Sequence, residues 1–176
     1  MGVTTLRKYF RESRGMAAVE FALVFPVMLI VLFGGFELSQ VLQANRRATN
    51  VASTASDLVA QATVITNADR DDIFNAASAI MAPFGTGPLT IIVTSISNNA
   101  GTLAVDWSDA LHAQPRSTVP STLAGLGIVP PGSTIIMAET GYTYTSPIGK
   151  FFTSGVSMSD VFYDRPRRSV SVQRKP

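Results

Sequence analysis

The sequence has no cysteine in 176 residues. That absence excludes a disulfide framework, a thiolate nucleophile and a zinc–thiolate site. Histidine is nearly absent too: His112 is the only one. It lies in a proline-rich stretch near Ser108, Asp109 and Ser117, with no second base and no recognisable nucleophile motif. The acids Asp69, Asp71 and Asp72 lack the spacing of a calcium loop and read as acids at the start of a helix, where the macrodipole favours them. Gly85-Thr86-Gly87-Pro88 lacks the lysine and spacing of a phosphate loop and reads as a turn. No internal repeat is present. These absences predict a protein that is not an enzyme and needs no cofactor and no metal.

Charge is scarce as well, at 15% of residues against 46% hydrophobic, and it is unevenly placed. The net charge of +2 belongs to the first fifteen residues, where Arg7, Lys8, Arg11 and Arg14 face a single acid, Glu12. Without them the chain has ten basic and eleven acidic groups. The remaining basic cluster, Arg165, Arg167, Arg168, Arg174 and Lys175, has only Tyr163 as an aromatic neighbour, which argues against nucleic acid as a partner.

What is present in abundance is one apolar run. Met16 to Phe36 is twenty-one residues, about 31 Å as a helix at about 1.5 Å per residue, which matches a hydrocarbon core of about 30 Å. By the positive-inside rule the basic leader, residues 1–15, stays cytoplasmic and the rest follows the helix outward. A secretory signal peptide needs small residues at −3 and −1. With Gly34 or Gly35 at −1, the −3 position is Leu32 or Phe33, so the better cleavage position is before the run, at Gly15. Pro26 removes a backbone donor and crowds the carbonyl of Ala22, which predicts a kink or local melting there.

From Glu37 onward the pattern stays helical but becomes amphipathic. Leu38, Val41, Leu42, Ala48, Val51, Ala52, Ala55, Leu58, Val59 and Ala62 recur at three- and four-residue steps. The expected object is one helix of about forty-five residues, its second half laying an alanine stripe on the protein's own sheet or on another subunit. A second, short helix is expected over Arg70 to Met81, capped by Asp69 or Asn67. Leu89 to Ser97 reads as a strand, Asn98 to Gly101 as a turn and Thr102 to Trp107 as the hairpin partner. A loop follows over Ser108 to Gly132, with a helical turn near Ser121–Gly125. Ser133 to Thr145 is the strongest strand, with Gly141 as a candidate bulge and Tyr142 and Tyr144 on one face. Pro147 to Phe152 reads as a short helix or bent connection, Met158 to Asp164 as the last strand and Arg165 to Pro176 as a frayed basic tail. The fold class is α+β: a long N-terminal transmembrane helix continues into an amphipathic helix packed on a small, mostly antiparallel sheet of three or four strands. The domain plan is a leader at 1–15, a transmembrane helix at 16–36, an extracytoplasmic domain at 37–164 and a tail at 165–176.

Glu20 is the residue that apolar patterning does not explain. An ionised carboxylate at the centre of a membrane helix costs about 2.5–3.5 kcal/mol on insertion scales, and less near an interface. One reading is that it snorkels to the cytoplasmic surface. The other supplies a cation: cutting after Gly15 creates an α-ammonium on Met16, four residues from Glu20, within one chain or from a staggered neighbour. A basic leader ending in glycine, a glutamate at the fifth position after it and an apolar helix resemble the prepilin cleavage pattern of type IV pilins. The fuller string, Arg14-Gly15-Met16-Ala17-Ala18-Val19-Glu20-Phe21-Ala22-Leu23-Val24-Phe25-Pro26, resembles TadE-like pseudopilins of the tight-adherence pilus system, over about residues 12–50. TadF-like and the larger TadG-like proteins share the N-terminal pattern. The resemblance implies a minor pilin-like subunit that supports assembly of adhesive Flp-type pili and is processed by a prepilin peptidase. It makes Gly15 the residue before the cut, Met16 the new N-terminus and Glu20 the assembly carboxylate. Its implied partners are that peptidase, other pilin-like subunits, the pilus assembly platform and the inner membrane. The alternative is an uncleaved single-pass anchor presenting an interaction domain.

Overall fold

A computed structural model describes residues 13–146 and 155–176. Most of the leader, and the connection expected over Pro147 to Phe152, lie outside the described residues. The chain divides into two compact units, Met1–Gln40 and Val41–Pro176. Helix α1, Ser13–Ala60, contributes to both.

In the first unit α1 passes through Pro26 without interruption, so the local melting expected near Ala22 does not occur. The side chains here face outward, with Leu23 72% exposed. Among the described residues this is the one helix long and apolar enough to cross a membrane. Leu38, counted in the amphipathic stripe, is exposed, while its neighbour Glu37 is fully buried.

The second unit is an α+β domain. After α1 come a two-residue strand β1 (Val64–Ile65), helix α2 (Asn67–Ala79), the hairpin β2 (Leu89–Asn99) and β3 (Thr102–Leu111), the short helix α3 (Ser121–Leu126), strands β4 (Thr134–Tyr144) and β5 (Val156–Asp164), and the two-residue β6 (Gln173–Arg174). The main sheet is antiparallel in the order β3-β2-β4-β5, and β1 pairs with β6 in parallel. The hairpin turns on Ala100 and Gly101, whose φ angles of 54° and 97° match the two-residue turn that follows the strands' twist. The register irregularity lies between Ser95 and Ile96 on the β2–β3 side, not at Gly141, which pairs in step with Thr90. Gly141 serves instead as a close approach: a Cβ there would stand 2.6 Å from the Thr90 hydroxyl.

Alternation along the strands gives the sheet two apolar faces. Ala44, Ala48, Val51, Ala55 and Val59 of α1 meet Ile91, Val93, Ile136, Ala138 and Tyr142 on one face, with Phe74 and Ala77 of α2 joining them. The alanine stripe thus covers the protein's own sheet. Leu42, read as part of it, is 51% exposed. On the opposite face Ile96, Ile135 and Met137 pack with Leu123 of α3 and Val129. Helix α2 starts earlier than expected because Thr66, not Asp69 or Asn67, is its cap. The Thr66 hydroxyl accepts from the Asp69 N–H, and the Asp69 carboxylate accepts from the Thr66 N–H, a reciprocal capping box. The Thr66 hydroxyl also donates to the Asp69 carboxylate at 2.6 Å, and that bond, together with the one from the Thr66 N–H, holds the Asp69 carboxyl below its ordinary value.

Candidate assembly segment and the seating of its helix

The expected cleavage position lies in the first turns of α1. Gly15 has open space where a Cβ would be, and Met16 to Glu20 are all exposed. Met16 and Glu20 stand four residues apart on one helix, which places their Cβ atoms about 5–6 Å apart on one face. Phe21 and Phe25 stack along the next turn with ring centroids 5.2 Å apart. Pro26 sits in the middle of the apolar half.

The packed face of α1 is mostly alanine, with Val51 and Val59 as its larger buried side chains. Polar tethers join it to the sheet and to the end of α2. The Thr140 hydroxyl donates to the Ala48 carbonyl at 3.1 Å, inside the core. Thr49 and Ser56 donate to Asp160 and Asp164 of β5 at 2.6 and 2.7 Å. Arg47 donates to the Ile80 carbonyl at 2.8 Å. Asp160 also accepts from the N–H of Val161 on the edge strand β5. Sequence reading identified none of the four tethers from α1, because each joins positions far apart in the chain.

His112, Ser108 and Asp109 bond to groups other than one another. Its Nδ1 lies 3.0 Å from the Leu89 carbonyl. The Ser108 hydroxyl accepts from the Arg116 N–H and lies 3.0 Å from the Thr94 hydroxyl, and Asp109 pairs with Arg174. Arg116 in turn forks onto Glu139 on the sheet face opposite α1, and that hydrogen-bonded pairing holds its guanidinium above the ordinary value. Tyr163 nearby is pushed up by burial and by Glu139, with Arg116 opposing. Asp71 pairs with its neighbour Arg70 at 2.7 Å.

The segment Arg165–Pro176 is not a frayed tail. Val172 is 2% exposed, its carbonyl accepts from the Trp107 indole at 2.7 Å, and Arg174 pairs with Asp109 at 2.7 Å. The backbone N–H groups of Gln173 and Lys175 donate to the carbonyls of Thr63 and Ile65.

With the exposed apolar helix, the glutamate and the seated alanine stripe in place, comparison with known proteins finds a family likeness in one segment. The chain is TadE-like over residues 15–57. The match begins at Gly15, runs through the apolar half and ends within the alanine stripe. No curated protein and no solved structure matches the chain. The TadE-like segment associates the protein with the Tad pilus, and its apolar helix is of the kind that anchors a protein in a membrane.

Proposed function

We propose that this protein is a minor pseudopilin that supports assembly of Flp-type adhesive pili. The observation that carries the reading is the coincidence of the TadE-like segment with a glycine at its first position and Glu20 at the fifth position after it. In this reading the leader, residues 1–15, is cytoplasmic, a prepilin peptidase cuts after Gly15, and α1 holds the chain in the inner membrane with the sheet domain outside. The new Met16 ammonium meets a Glu20 carboxylate at the same depth, in its own chain or a neighbour's. Opposite charges that are costly in hydrocarbon become less so as a pair. The protein performs no chemistry. Its partners are the peptidase, other pilin-like subunits and the assembly platform.

One observation favours a second reading, the uncleaved anchor: the Gly15–Met16 bond lies within α1, which begins at Ser13. A peptidase acting there has to unwind the first turn, whose N–H groups lack intrahelical partners. Intact mass of the protein from its native host separates the two. A chain beginning at Met16 is the expected result; a chain retaining residues 1–15 would falsify processing. Glu20→Gln is expected to abolish surface pili while leaving cleavage intact, and undiminished piliation would remove the charge pair from the mechanism.

A further inference from the structure

The most unexpected feature outside the TadE-like segment is the seating of residues 170–175. By sequence this is a basic tail, yet it lies as a strap against three separate elements. Its core attachments are few: the buried Val172, two backbone hydrogen bonds at 3.0 and 2.9 Å to the carbonyls of Thr63 and Ile65, and the Trp107 indole on the Val172 carbonyl. The rest of its hold is electrostatic. Asp109 of β3 receives Arg174 through both oxygens, at 2.7 and 3.3 Å, and has Arg70 of α2 at 4.0 Å. Asn67 accepts from the same Arg174 guanidinium at 2.5 Å. Between this anchor and the Arg167 N–H, which donates to the Ala60 carbonyl, Val170 stands 75% exposed. An open cleft of about 580 Å³ runs beneath, lined in part by Trp107, Asp106, Asn98 and the strap itself.

We propose that the strap is a latch keyed by Arg174 on Asp109, and that the carbonyl edge Thr63–Ile65 with Trp107 and Asp109 forms a peptide-binding seat occupied in cis by the chain's own Val172-Gln173-Arg174-Lys175. A two-residue parallel pairing with one buried side chain opens at lower free energy than a four-stranded sheet, because little apolar surface leaves its partners. The seat recognises an extended segment carrying an aliphatic side chain two residues before an arginine. The aliphatic group enters the core beside Trp107, and the guanidinium reaches the Asp109 carboxylate, which Arg70 faces at 4.0 Å. The inference does not rest on the pilus role.

The seat has a built-in reporter, because Trp107 is the only tryptophan. The test uses the full chain in detergent micelles. Arg174→Ala is expected to raise amide exchange at Gln173 and Lys175 at least ~10-fold and to shift Trp107 emission, while the Ile91 and Ile136 amides keep their protection. In an Asp109→Ala background the further effect of Arg174→Ala is expected to shrink, since the key has lost its lock. A synthetic peptide of residues 168–176 in excess is expected to return the emission of the Arg174→Ala chain to that of the parent. Loss of protection at Ile91 and Ile136 together with the strap would show that the strap is integral to the sheet and overturn the latch. Unchanged exchange at Gln173 and Lys175 would overturn the key, and failure of the peptide to restore emission would overturn the seat.

Discussion

The two halves of α1 use opposite ends of the apolar scale. The first half displays its largest side chains, Phe21, Leu23, Met28 and Ile30 among them, to the outside. The second half buries its smallest, Ala44, Ala48 and Ala55, against a sheet. Hydropathy therefore identifies the medium around a helix, and residue size identifies the surface it lies on. Lipid accepts bulky chains of any shape, whereas a helix packed on a pleated sheet gains contact by coming close and then needs polar tethers to fix its position.

That contrast can be broken at its strongest point first. Ile136→Ala, under the alanine stripe, should destabilise the domain by about 2–5 kcal/mol, read by denaturant unfolding in micelles through Trp107 fluorescence. Leu23→Ala should leave that transition where it was, and a comparable shift at Leu23 would erase the distinction between the halves. Ala55→Leu comes next, with overpacking that should cost about 1–3 kcal/mol; if the midpoint is unmoved, the helix does not lie as close to the sheet as its burial implies. Thr140→Val removes the buried tether to Ala48 at nearly constant volume and leaves that carbonyl to its helical bond alone. A loss of about 0.5–1.5 kcal/mol is expected, and no loss would mean that alanine packing sets the register unaided. The smallest effect concerns alkaline pH. Burial raises the phenol pKa values of Tyr142 and Tyr163 above 10.0, so the unfolded chain releases those protons first. Stability should then fall as pH rises through that value. Replacing both by Phe should flatten the alkaline limb, and an unchanged limb would assign it to other groups.

Legibility in the sequence follows the range of each interaction. The long helix was readable because apolar runs and three- to four-residue steps are local, although periodicity alone included Leu38 and Leu42, which face outward. The hairpin was readable from its turn, and β3 extends to Leu111, beyond the expected Trp107, because pairing with β2 continues to Ile91. The α2 cap was present as Thr66-x-x-Asp69, a reciprocal pattern that placing the cap at Asp69 or Asn67 missed. Glu20 and Pro26 stood out because each is anomalous within an apolar run, and Gly15 and Met16 because they stand where the basic leader meets that run. The strap did not. A two-residue parallel strand has no periodicity, and Arg174 finds Asp109 across sixty-five positions, so only the folded chain brings them together.

One detail of β5 limits how this domain can associate. Asp160 accepts from Thr49 on the helix and from the Val161 N–H on the sheet's outer strand. The same carboxylate that fastens the helix therefore occupies a donor that a foreign strand would need in order to extend the sheet there. Any growth of this sheet by strand addition at Val161 has to take Asp160 away from that N–H, so the bond that organises the fold also guards its edge against polymerisation through β-pairing.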